Sequence, residues 1–373
     1  MVIFSLCSKK EVEPEVLEVV NISNTPGRSE NPAIACDSRG CFYVVWQDPA
    51  PNGIMAVYIT QRTPAGNWTI PNYISNDNTQ RPMAWPDIAI DKENTIHIVG
   101  QYTNPQGWYE VFYTKKPLGS NWSELEIIGM YGMAGVPKIA VDDYGNVHII
   151  WEELVGYFPI FYTKRAKDGS WSAPVEISKG GVYYIDDPKI RIDKAGYAHV
   201  LWSEVRTESG PQALVYTNNV GGSWVTPIDL CLDSLSRIYG YQLAITDDGT
   251  IYVVWSLKGD IFYTFKSLSS NWFLPARICS TEVNTLFPAL DAVNNELHLF
   301  WPEGFNLDTL YYFKKEGRNK WQAVNKFRSS LATGEIKADA IDVGPTTIGI
   351  VFGTGQPPDW DNEEIYFCEI PRE

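Results

Sequence analysis

One phrase recurs along this chain about every 50 residues, and it restricts the possible folds more than any other feature. Its clearest copy runs from Pro137 to Ser178 and reads P-K-I-A-V-D-D-Y-G-N-V-H-I-I-W, then I-F-Y-T, then G-S-W-S-A-P-V-E-I-S. Aligned on the first tryptophan, the copies carry Trp46, Gly100, Trp151, Trp202, Trp255, Trp301 and Phe352. A second series, in the G-x-W words, is Trp68, Trp122, Trp171, Trp224, Trp272 and Trp321. A unit this short cannot bury its own apolar face, so copies must stack as a solenoid, a propeller or an array.

Each copy divides into four short strands. The first, P-x-I-A-x, ends at Asp-x-x-Gly or Asp-x-x-Asn, with Gly40, Asn94, Gly145, Gly196, Gly249 and Asn295 as the last turn residues. Glycine and asparagine tolerate the positive φ that a tight hairpin requires. The second strand has the form V-H-V-V-W, the third I-F-Y-T, and the fourth follows G-x-W with P-x-x-I-S. Apolar residues on both faces of the second strand suit sheets packed face to face, and four antiparallel strands per copy make a propeller blade. Six copies are complete. The seventh has strands near Ala338 to Asp342, Thr347 to Phe352 and Glu363 to Cys368, but no fourth. The N-terminal Val16 to Ser23 matches the missing words, so both ends are expected to share one blade and leave no open edge there. The expectation is an all-β, seven-bladed propeller over residues 16–373, with 1–15 as a signal remnant or tether.

The wording P-x-I-A-V-D-x-x-G-N-V-H-V-V-W with G-x-W-S-x-P-x-x-I-S resembles exported bacterial propellers related to the sialidase-like superfamily. The resemblance covers nearly everything after residue 16 and implies a propeller fold and an exported, secreted, periplasmic or cell-surface location. Intact Asp-boxes (S-x-D-x-G-x-x-W) are absent; Lys167-Asp168-Gly169-Ser170-Trp171 is the nearest approach. Sialidases use six blades and an arginine triad, so that activity is not carried over.

A formal charge of −15 argues against nucleic acid and anionic membrane surfaces, which both need clustered Lys and Arg. No run of 18 apolar residues is present to span a bilayer. Cys7, after the apolar Val2 to Leu6 and before a polar stretch, is a candidate lipid anchor. Among the six cysteines, Cys36 and Cys41 flank a hairpin turn as a plausible disulfide, whereas Cys231 and Cys279 share one register on different blades and read as free thiols.

Where chemistry resides is written more faintly. His97, His148, His199 and His298 share one repeat register, which favours a structural role. Serine-hydrolase, zinc and phosphate-loop motifs are missing from the sequence. The acids two residues after the first tryptophan, Asp48, Glu153, Glu204 and Glu303, are expected at the start of a loop, pointing to one rim. Asp48, Glu153, Asp187, Glu204 and Asp359 are therefore the carboxylate candidates for glycoside cleavage, with Tyr184 and Arg237 as helpers; a solvated repeat position is the plainer reading.

Residues that ignore the repeat say more. Trp85, Trp108 and Trp360 are off register, near Arg28, Arg81, Asp359 and Asp361, in the sector of blades 7, 1 and 2. Gly100, where a packing tryptophan belongs, would leave space beside Trp108. Aromatic faces beside charged hydrogen-bonding groups suit sugar recognition. The sequence thus favours an exported, non-catalytic propeller binding a glycan or surface polymer on its loop-rich face. A glycan-active hydrolase or lyase is the alternative, and a protein–protein scaffold the third. No cofactor is called for, with structural calcium left open.

Overall fold

The computed structural model describes residues 13–372, apart from 26, 75–80, 130–131, 155, 157, 181, 209, 234–237, 268–269, 280–286, 304–308, 317–319, 332–338 and 357–358, and apart from the side chains of 186, 233, 239, 279, 316, 355–356 and 359–362. Cys7 and Arg237 lie outside the described residues.

Seven sheets form, one per repeat, each built on four antiparallel strands, and helix is absent among the described residues. Their inner strands are Glu30–Cys36, Met83–Ile90, Lys138–Val141, Tyr184–Ile192, Ile238–Ile245, Ala289–Val293 and Ala340–Val343. Each touches the next, and the seventh touches the first, so the ring closes as a seven-bladed β-propeller. Seven buried clusters fill the seven seams between neighbouring blades. Alternation along each strand sends one set of side chains into either seam, which is why the second strands are apolar on both faces.

The two tryptophan series act differently. Trp46, Trp151, Trp202, Trp255 and Trp301 are fully enclosed. The G-x-W tryptophans are half-buried and fasten one blade to the preceding one edge-on: Trp171 against Tyr113, Trp224 against Tyr162, Trp272 against Tyr216, and Trp68 against Phe367. Such edge-to-face pairs contribute about 0.5–1.5 kcal/mol beyond their burial.

Both chain ends build blade 7. Val20–Asn21 pairs antiparallel with the last strand, Asp359–Pro371, and Ile22 N–H extends the ladder to Ile365 O at 2.9 Å. Before that, Glu15–Leu17 lies parallel to the outer strand of blade 6, Gln322–Ser329, as a fifth strand. The N-terminal segment therefore spans two blades.

Three expectations need correction. Cys36 and Cys41 are free thiols: Cys36 packs in the seam toward blade 7 and Cys41 in the seam toward blade 2, on opposite faces of one sheet. The left-handed residue of the sixth hairpin is Asn294, not Asn295, because that hairpin has a two-residue turn, with Val293 paired to Glu296. Gly100 leaves no space, since a Cβ there would stand 2.5 Å from the Phe112 ring, which fills the volume of the missing indole.

Candidate functional site

The repeat-register residues are absorbed by packing. His97, His148 and His199 each link a tyrosine hydroxyl (Tyr113, Tyr162, Tyr216; 2.6–2.8 Å) to a hairpin aspartate (Asp91, Asp142, Asp193; 3.1–3.2 Å). His298 meets Tyr312 in the same way, at 2.8 Å. These networks are enclosed within the blades. Burial pushes the His148 ring below its ordinary range, while Asp142, despite its own burial, is held low by His148 and Asn146.

The rim of acids is likewise corrected. Asp48, Glu153, Glu204 and Glu303 are all buried. Trp151 Nε1 donates to Glu153 at 2.9 Å, and Trp202 Nε1 to Glu204 at 2.9 Å. A sealed indole N–H needs an acceptor, and the residue two positions on supplies it. Asp48 instead accepts hydrogen bonds from Ser29 (2.6 Å) and Thr25.

What opens to solvent is a funnel of about 710 Å³ at the centre of the face where the inner strands begin. That volume is within the ~300–1,000 Å³ of ordinary ligand sites. Below it an axial channel of about 340 Å³ shares Lys138, Lys189 and Gln242 with the funnel wall. Three exposed aromatic rings line the funnel: Trp85 (40% exposed), Tyr184 (43%) and Phe287 (48%). Between them Asp187 meets Lys189 at 2.6 Å and Lys138 at 4.0 Å. Burial lowers the Lys189 ammonium, and although burial opposes it, the two lysines keep Asp187 below the usual carboxylate range.

The other candidates fall around this opening. Arg28 is exposed and does not line the funnel, but it lies 2.9 Å from Glu30 and 3.8 Å from Glu363, both of which do. Arg81 donates to Asn104 O at 3.1 Å and so staples the loop that carries Trp108. Trp108 is 50% exposed on this face, against Gly132, but outside the funnel wall. Asp359, Trp360 and Asp361 belong to the last strand, and their side chains lie outside the described residues.

Sequence reasoning missed Asn31, Lys138, Lys189 and Phe287 in the wall, and Arg191, Asp291 and Asp342 in the channel. The last three replace the second alanine-register residue of the inner strand, elsewhere Ala35, Ala89, Ala140 and Ala244. Inner-strand acids join successive blades: Asp87 accepts from Ile139 N–H (2.9 Å), Asp291 from Val343 N–H (3.0 Å) and Asp342 from Cys36 N–H (2.7 Å). Asp291 and Asp342 also hydrogen-bond each other. Among the described residues, no group of three or more His, Cys, Asp or Glu is placed to hold a metal ion. Nor is any helix among them long and apolar enough to cross a membrane.

No protein-family model and no curated relative matches this chain. Solved structures share its fold. The polysaccharide lyase Uly1 superposes with a TM-score of 0.61 at 11% identity, over 91% of this chain and 90% of that one. The lectin BP39L from Burkholderia pseudomallei gives 0.60 at 12% identity, over 92% and 96%. The α-L-arabinanase of Penicillium chrysogenum, complexed with arabinobiose, gives 0.55 at 13% identity, over 96% and 99%. Carbohydrate-active enzymes and a lectin thus stand among the structural neighbours.

Proposed function

We propose that this protein is an exported propeller that binds a glycan or surface polymer in the central funnel, without catalysing its cleavage. The observation that carries the reading is the wall itself: three solvent-facing aromatic rings around the Lys138–Asp187–Lys189 group, in a cavity of ligand size. Sugar rings stack their C–H faces on aromatics while their hydroxyl groups take hydrogen bonds, and this wall offers both. The burial of Asp48, Glu153 and Glu204 supports a binding role, since those carboxylates hold buried indoles or hydroxyls instead of facing a substrate.

A second reading, a glycan-active hydrolase or lyase, draws on Lys189, whose lowered ammonium beside Asp187 is the kind of group that moves a proton. A panel of neutral and acidic polysaccharides separates the two, with retention and product release measured together. Binding without new chain ends supports the lectin-like reading. New reducing or unsaturated ends, lost in Lys189→Met, would replace it with the enzyme. Export is tested by fractionating the native host, with cytoplasmic recovery as the opposing result.

A further inference from the structure

The funnel mouth is built from backbone that ordinary residues avoid. Asn31, Trp85, Asp187 and Phe287 have φ values of 54°, 51°, 43° and 57°. Each immediately precedes a proline: Pro32, Pro86, Pro188 and Pro288. A left-handed conformation costs a residue with a Cβ roughly 1–2 kcal/mol, and a following proline pushes its neighbour toward extended backbone instead. Asparagine and aspartate tolerate this region; tryptophan and phenylalanine are outliers there. Blade 5 shows what backbone alone would prefer, with Gly240 (φ 70°) two places before Gln242 on its inner strand.

The ladder slips at Asn31, Trp85 and Asp187, between Glu30 and Ala33, Ala84 and Asp87, and Asp186 and Lys189, and again at Gly240, between Ile238 and Tyr241. A bulge adds a residue and re-aims its side chain. Asn31, Trp85, Asp187 and Phe287 all line the funnel. Neighbouring blades hold the conformation in place: Gln47 Oε1 accepts the Trp85 N–H at 2.9 Å, and the Tyr241 hydroxyl donates to Asp187 O at 3.0 Å. Strain persists where the surroundings over-determine it, and it gathers at sites of function. Phe158 (φ 52°, before Pro159) takes the same backbone with its ring packed against the core between blades 3 and 4, whereas Trp85 and Phe287 stay 40% and 48% exposed in the funnel. Glycine would satisfy the fold at these two positions, so their rings answer to something other than core packing.

We infer that these residues form a ligand-reading collar, with Trp85 on blade 2 and Phe287 on blade 6 as two stacking platforms for an internal stretch of a polysaccharide chain lying across the funnel. Blades 2 and 6 are separated by blades 3, 4 and 5 on one side and by blades 7 and 1 on the other, so no single sugar ring serves both platforms. Asp187, with its two lysines, stands on the arc between them and meets the polar edge of the chain. The inference rests on the glycan-binding reading above and adds how the chain is held.

The test uses the whole protein, Trp85→Gly and Phe287→Gly, with thermal melts and with retention of neutral and acidic oligosaccharides of increasing length. Expected are melting temperatures equal to or above the parent's, because glycine removes the left-handed strain, together with about tenfold or greater loss of binding to long chains. A clear fall in melting temperature in either variant would assign that ring to packing and overturn the collar. So would a parent protein that holds a monosaccharide as tightly as a long chain. Long-chain binding that survives both substitutions removes the platforms and leaves the glycan reading standing; a parent that retains no glycan at all removes both.

Discussion

His148 and His298 are enclosed by their own blades, and burial keeps both rings below the ordinary imidazole value of 6.5, His298 at about 4. A ring that stays neutral when folded but accepts a proton when unfolded favours the native state fully only above its unfolded value. Stability from these rings is therefore present above about pH 6.5 and is lost as pH falls toward 4; melts across that range should show the decline, and His298→Gln should flatten it. The channel carboxyls act with opposite sign. Burial, and then the neighbouring Asp291, push Asp342 up to about 8, so its contribution is whole below 3.8 and is lost as pH rises through 8. Asp342→Asn keeps an acceptor for Cys36 N–H and should melt higher than the parent at pH 9, whereas an unchanged alkaline slope would mean the pair is not sharing a proton. Tryptophans divide by burial in the same way. Trp151→Ala should cost roughly 3–5 kcal/mol in denaturant unfolding, as a large core ring. Trp108→Ala, half-exposed on its loop, should stay within about 0.5 kcal/mol.

The N-terminal segment does two jobs, and deletions separate them. Removing residues 1–12 should leave melting unchanged, since Glu15–Leu17 and Val20–Asn21 both survive. Removing 1–18 strips only the parallel strand from blade 6 and should cost less than removing 1–23, which also opens blade 7 and takes away Ile22 from its seam. Equal melting of the 1–12 and 1–23 deletions would reject this topology. The second contact was legible in the sequence because Val16 to Ser23 repeats the fourth-strand words found six times downstream. The first was not, since no other copy carries a fifth strand for comparison. Gly100 shows a related limit: the compensating ring, Phe112, sits directly across the ladder, and a repeat read along one strand does not reveal what its partner supplies. The site was harder still. Trp85 and Asp187 stood out in the sequence, but Asn31 and Phe287 look like ordinary residues before a proline, and only their left-handed backbone sets them into the funnel wall. Arg191, Asp291 and Asp342 were visible as departures from alanine, yet variation at one register does not say which side faces the axis.

For the molecule as a whole, the shared seventh blade has a mechanical meaning. Val20 pairs with Phe367 and Asn21 with Tyr366, so the N-terminal side of one strand lies beside the C-terminal side of the other. Tension applied to the two chain ends therefore loads this ladder from one end and peels its hydrogen bonds singly, whereas a shearing load would be carried by all of them together. The parallel contact of Glu15–Leu17 on blade 6 lies upstream of that ladder and takes the load first. In an optical trap the ring should open at low force in this order, blade 6's fifth strand and then blade 7, before the remaining blades yield in steps of one repeat each. The clasp that makes the circle strong against heat would thus be its point of least resistance to pulling.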